Sequence, residues 1–224
     1  MPQTITERAV KIPPSGLDAD LTLPPDAAGI ILFAHGSGSS RHSPRNRSVA
    51  GVLNDGGFGT LLLDLLTHAE EQVDLRTRHL RFDIGLLAGR LIEATEWVRR
   101  EPELGTLPIG YFGASTGAAA ALVAAARHPA GIDAVVSRGG RPDLAGPALR
   151  RVQAPTLLIV GGEDLQVMEL NLRAISQMVC KKDLAIIPGA THLFEEPGAL
   201  KRVSHLALGW LTENLKKRRG PRLN

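Results

Sequence analysis

The 224-residue chain predicts an α/β fold, on two observations. Short apolar runs alternate with helix-length segments from residue 29 onward, and each run is nearly continuous in apolar residues, as in parallel strands buried on both faces. The predicted strands are Gly29 to Gly36, Thr60 to Leu66, Pro108 to Gly113, Ile132 to Ser137, Thr156 to Gly162 and Leu184 to Gly189. Helical patterns cover Arg81 to Arg100, Thr116 to His128, Leu165 to Val179 and Ala199 to Lys217. The stretch VKIPPSGLDADLTLP, before the first of these strands, alternates like an antiparallel pair at the edge of the same sheet. Between Ser137 and Thr156 there is room only for a short helix, so no separate lid domain is expected. No repeat, low-complexity block or long linker divides the chain, which predicts a single domain over residues 1–224.

Composition narrows the function classes. At 43% apolar residues the chain reads as a globular protein, and no run is long and apolar enough to cross a bilayer. The first residues lack the apolar core of a signal peptide, so a cytoplasmic protein is expected. The single cysteine, Cys180, has no second thiol for a disulfide or a cysteine-rich zinc site, and core packing is its expected role. Five positive charges fall in KKRRGPR near the C-terminus; with these removed the net charge of +3 becomes −2. The basic character therefore belongs to a tail, residues 215–224, and the body offers no nucleic-acid surface.

The chemistry centres on Gly113-Ala114-Ser115-Thr116-Gly117, a G-x-S-x-G pattern between a strand and a helix. Small flanking residues let the chain reverse sharply, which lifts Ser115 above the sheet at the positive end of the following helix. A serine hydroxyl needs a base, and the base needs a group to orient it. Two later strand ends supply candidates: Glu163-Asp164 after TLLIVGG, and His192 after LAIIPG. Ends on one edge of a parallel sheet converge, so Ser115, Asp164 and His192 can meet in the chain order Ser, acid, His.

That order and the serine turn resemble the α/β-hydrolase fold over nearly the whole chain from Gly29, and the compact layout looks most like the dienelactone-hydrolase-like branch. The family's GGxDxxV setting is matched by Gly161 to Val167, and its G-x-x-H-x-F setting by Gly189 to Phe194. The resemblance implies Asp164 rather than Glu163 as the acid and His192 as the base. Dienelactone hydrolase proper carries a cysteine where this chain has Ser115, so serine esterase chemistry on a small ester, lactone or other acyl substrate is implied, with no metal or cofactor. It also implies an oxyanion hole from the backbone N–H groups of Thr116 and Ser37, the latter in the loop His35 to Ser40. Acyl transfer, thioester or amide cleavage, or a non-catalytic ligand-binding role would use the same frame.

Among the other polar residues, His35 is expected to shape its loop and His128 to sit at a helix C-terminus. Gly36-Ser37-Gly38 is not a dinucleotide loop, because the third glycine position holds Arg41. Arg41, Arg45 and Arg47, together with Arg138 and Arg141, fall on the side of the serine. Arg41 and Arg138 are the candidates to bind an anionic group on a substrate, with Asp64 and Glu70 as possible internal partners. Oligomeric state is open, a homo-oligomer included.

Overall fold

The computed structural model describes residues 5–215, so the basic tail from Lys216 onward lies outside the described residues. Eight strands form one sheet: β1 (Thr6–Ile12), β2 (Leu17–Leu23), β3 (Ile30–Ala34), β4 (Gly59–Leu63), β5 (Ile109–Ala114), β6 (Ala134–Arg138), β7 (Thr156–Gly161) and β8 (Lys182–Ile187). Their order is β1-β2-β4-β3-β5-β6-β7-β8. The hairpin β1-β2 is the antiparallel edge expected from the first residues, pairing through β2 to β4; all later pairs are parallel.

The continuous apolar runs are explained by two cores that share the strands. Within β3, Ile30, Leu32 and Ala34 face one cluster while Ile31 and Phe33 face the other, so both side-chain parities are buried. Helices α3 (Ile84–Arg100), α4 (Thr116–Arg127) and α5 (Leu165–Gln177) cover the first face; α1 (Pro44–Asp55) and α6 (Ala199–Asn214) cover the second. Burial on both faces fails at β8, where Lys182 and Asp183 are exposed and Ile186 is 46% exposed. This strand lies at the edge of the sheet, where charged residues also guard against pairing with other chains.

Two helices fall outside the predicted set. α1 starts at Ser43-Pro44, and α2 (His68–Thr77) has a capping box in which Thr67 and Glu70 satisfy each other's backbone amides. Glu70 also binds Arg90 at 2.6 Å. The helix predicted from Arg81 begins at Ile84, after a 3-10 turn at Leu80–Phe82. Residues Pro142–Arg151 form two 3-10 turns broken at Gly146, with no inserted domain. Among the described residues, no helix is long and apolar enough to cross a membrane. Cys180 is half-buried against the first core, as its packing role requires.

Candidate functional site

β3, β5, β6 and β7 end in near register, with Ala34 opposite Gly113, Ala114 opposite Arg138 and Arg138 opposite Ile159. The loops that follow therefore meet above one edge. Ser115 makes the turn from β5 into α4 with φ 50° and ψ −120°, a left-handed conformation that an L residue adopts only at a cost. The residues two positions to either side of it must be glycine for steric reasons. A Cβ on Gly113 would stand 2.4 Å from Ala118 Cα, and one on Gly117 would stand 2.2 Å from Ala34 O. The first turn of α4 is thus pressed onto the strand ends, with Ser115 at its tip.

Ser115 occupies the N-cap position of α4, where a serine ordinarily accepts a hydrogen bond from the helix's own amides. No such bond forms, and Ser115 is half-buried. Asp164 repeats the pattern at the N-cap of α5, again without a side-chain cap bond. Its carboxylate Oδ2 instead lies 2.6 Å from His192 Nδ1. An ionised carboxylate only accepts, so Nδ1–H is the donor, and in the neutral ring this tautomer puts the lone pair on Nε2. Glu163 is exposed and makes no side-chain bond to His192, which separates the two adjacent acids. The close approach of the two loops rests on Gly161, where a Cβ would lie 2.3 Å from Ala190 O.

His192 stands on a short loop pinned by Phe194, which is 2% exposed in the second core. The ring lies over Gly139, whose Cβ would be 3.7 Å from His192 Cε1. Ser115 borders the same segment: its N–H donates to Arg138 O at 3.3 Å and its carbonyl accepts from Arg141 N–H at 3.1 Å. The structure thus brings Ser115 and His192 to one place, although no hydrogen bond joins Ser115 Oγ to the ring.

The loop after β3 departs from expectation in one respect. Ser37 N–H donates to Thr116 Oγ1 at 2.9 Å, so this amide is engaged rather than free. The bond ties the loop to α4 across 79 residues of sequence, a pairing no local pattern displays. His35 shapes the loop as expected: Nδ1–H donates to Gly36 O at 2.9 Å and Nε2 accepts from Leu65 N–H at 3.1 Å. Burial holds its pKa below the ordinary histidine range, and both bonds suit the neutral ring. A cleft lined by Gly36, Ser37, Asp64, Leu66 and Thr116 opens beside this loop and reaches the serine turn at Thr116, without Ser115 in its lining.

The arginines divide sharply. Arg41 is not available to a ligand: its side chain pairs with Asp64 and, at 3.5 Å, with Asp20, and its N–H also donates to Asp64. Asp64 thus consumes the Arg41 charge, whereas Glu70 serves Arg90. Arg47 pairs with Asp20, Arg141 with Asp143 and Arg45 with Glu195. Arg138 has no such partner. His128 caps the C-terminus of α4. Among the described residues no group of three or more His, Cys, Asp or Glu side chains is placed to hold a metal ion.

An open, mostly parallel sheet with a serine on a strained strand-to-helix turn, and an acid and a histidine at later strand ends, defines an α/β hydrolase. The chain belongs to the dienelactone hydrolase family, whose model matches residues 17–207. It is 58% identical to the dienelactone hydrolase from Anabaena variabilis, whose crystal structure superposes with a TM-score of 0.93 over 96% of this chain and 100% of that one. Est1E from Butyrivibrio proteoclasticus, solved with ferulic acid bound, shares the fold at 18% identity and a TM-score of 0.76, over 92% of this chain and 99% of that one. Identity is 60% over 195 residues to a Mycobacterium tuberculosis protein whose name assigns it provisionally to the phosphoribosyl transferases. The match takes in 87% of this chain and 43% of that one, so the chain spans less than half the length of this curated relative.

Proposed function

We propose that the chain is a serine hydrolase that cleaves a small ester or lactone through an acyl-enzyme. The observation that carries this reading is the pair of N-cap side chains, Ser115 and Asp164, left out of helix capping at the ends of β5 and β7, with Asp164 bonded to His192.

In this mechanism His192 Nε2 removes the Ser115 proton as Oγ attacks the substrate carbonyl. Asp164 holds the ring in the required tautomer and stabilises the imidazolium that forms. The oxyanion meets Thr116 N–H at the start of α4, where the helix dipole favours negative charge. Ser37 N–H contributes as the second donor when Thr116 Oγ1 shares it or turns aside. Collapse of the tetrahedral intermediate breaks the bond to the leaving oxygen, which takes the proton from His192. Water then attacks the acyl-enzyme by the same route in reverse and restores Ser115. The reading requires no metal or organic cofactor.

The test is turnover of a panel of small p-nitrophenyl esters and lactones by the wild type and Ser115→Ala. Wild-type cleavage with release of the free acid, and a loss of at least about 10⁴-fold in the variant, is expected. Retained turnover in Ser115→Ala would refute the assignment. Appearance of the acyl group on an added alcohol or amine instead of in the free acid would make the protein an acyltransferase.

A further inference from the structure

Arg138 ends β6, and its carbonyl accepts the Ser115 N–H. By the alternation of the strand its side chain shares the face of Ala134 and Val136, toward α1 and α6. It is only 9% exposed, yet its guanidinium makes no hydrogen bond or ion pair with any described residue, and Nη1 is buried without a partner. Arg41, Arg81, Arg90 and Arg141 are less buried, and each has a carboxylate. The most enclosed arginine of the group is the one left uncompensated.

The charge persists in this setting. Burial, and then the nearby Arg45, lower the Arg138 pKa to about 10, which leaves the group protonated at neutral pH. Arg45, in the first turn of α1, therefore brings a second cation toward the first, and its Nε is also buried without a partner. Its one ion pair, to Glu195 at 3.1 Å, engages a carboxylate that is 65% exposed and screened by solvent. A buried guanidinium is ordinarily kept only where an anion meets it, because desolvating the charge alone is unfavourable. Two unsatisfied guanidinium donors, one of them on the residue whose carbonyl holds the Ser115 N–H, match the planar, bidentate recognition of an oxyanion.

We propose that Arg138, backed by Arg45, forms an anion subsite beside Ser115 that takes an oxyanion group, carboxylate or phosphate, carried by the substrate. The subsite rests on the hydrolase reading for its purpose, but its binding is measurable without turnover.

Thermal unfolding of the wild type, Arg138→Met and Arg138→Lys is followed in rising inorganic phosphate and, separately, acetate, with chloride holding ionic strength constant. Either oxyanion should raise the wild-type midpoint by a few degrees; Arg138→Lys should keep part of the shift and Arg138→Met none. Equal shifts in wild type and Arg138→Met, or no wild-type shift with either anion, would overturn the subsite. Should Arg138→Met fail to fold, Arg45→Met takes its place, with a reduced shift expected and an unchanged one counting against the proposal. The second arm compares p-nitrophenyl hemisuccinate, and an ester bearing a phosphate, with neutral p-nitrophenyl butyrate. The ratio of kcat/KM for charged over neutral ester should fall at least tenfold in Arg138→Met, and the anion that shows the larger fall identifies the group the subsite prefers. An unchanged ratio would contradict the proposal even with Ser115 active. Absence of all turnover would instead count against the hydrolase reading, and the anion titration would still decide the subsite.

Discussion

Five helices begin at a residue able to cap them, and they fall into two groups. At α1, α2 and α3, Ser43, Thr67 and Asp83 accept from the amides of Asn46, Glu70 and Leu86. At α4 and α5, Ser115 and Asp164 hold the same position and make no cap bond. A cap is worth about 1 kcal/mol, so the second group forgoes local stability that the first collects. Ser115 adds a left-handed backbone, which costs roughly 1–3 kcal/mol. In the second group the N-cap residue lies within three residues of the end of β5 or β7, whereas in the first it lies farther from the preceding strand. Side chains withheld from helix capping thus mark the candidate site.

The comparison is broken most severely at Asp164. Asp164→Asn keeps the shape but presents the wrong hydrogen-bond partner to His192 Nδ1, and kcat should drop by about 10³–10⁴-fold with the fold intact. Unchanged ester turnover, measured alongside an unaltered circular dichroism spectrum, would remove Asp164 from the mechanism. A smaller effect of opposite sign is expected at the serine turn. Ser115→Gly relieves the positive φ and should be more stable than Ser115→Ala by about 1 kcal/mol in urea unfolding, while both are inactive. A Ser115→Gly protein less stable than the alanine variant would mean that the turn stores no strain.

The capped group sharpens the contrast from the other side. Ser43→Ala, Thr67→Ala and Asp83→Ala should each lose about 1 kcal/mol of unfolding free energy while kcat stays within twofold. A large loss of kcat in any of them, at full folding, would erase the distinction between the two groups.

The serine turn, the acid and the histidine were legible in the sequence because each sits where an apolar strand stops at glycine, a local signal that needs no tertiary knowledge. In the sequence only the family resemblance favours Asp164 over Glu163; the structure separates them by reach, since one side chain meets His192 and its neighbour is exposed. α2 escaped detection because Asp74 is its only buried residue, which leaves no apolar stripe to read. The two candidate arginines looked alike for a related reason. Arg41 meets Asp64 and Asp20, each more than twenty positions away, and only the folded sheet reveals that its charge is taken while that of Arg138 is not. The Ser37 to Thr116 bond was hidden in the same way.

The central claim is that Ser115 is an activated nucleophile rather than a turn residue. Its most direct test is the intact mass of the protein after exposure to a fluorophosphonate, with Ser115→Ala and Asp164→Asn treated in parallel. The account predicts one adduct on the wild type, slower labelling of Asp164→Asn and none on Ser115→Ala. An unlabelled wild type with intact fold, or an adduct that persists in Ser115→Ala, would contradict it.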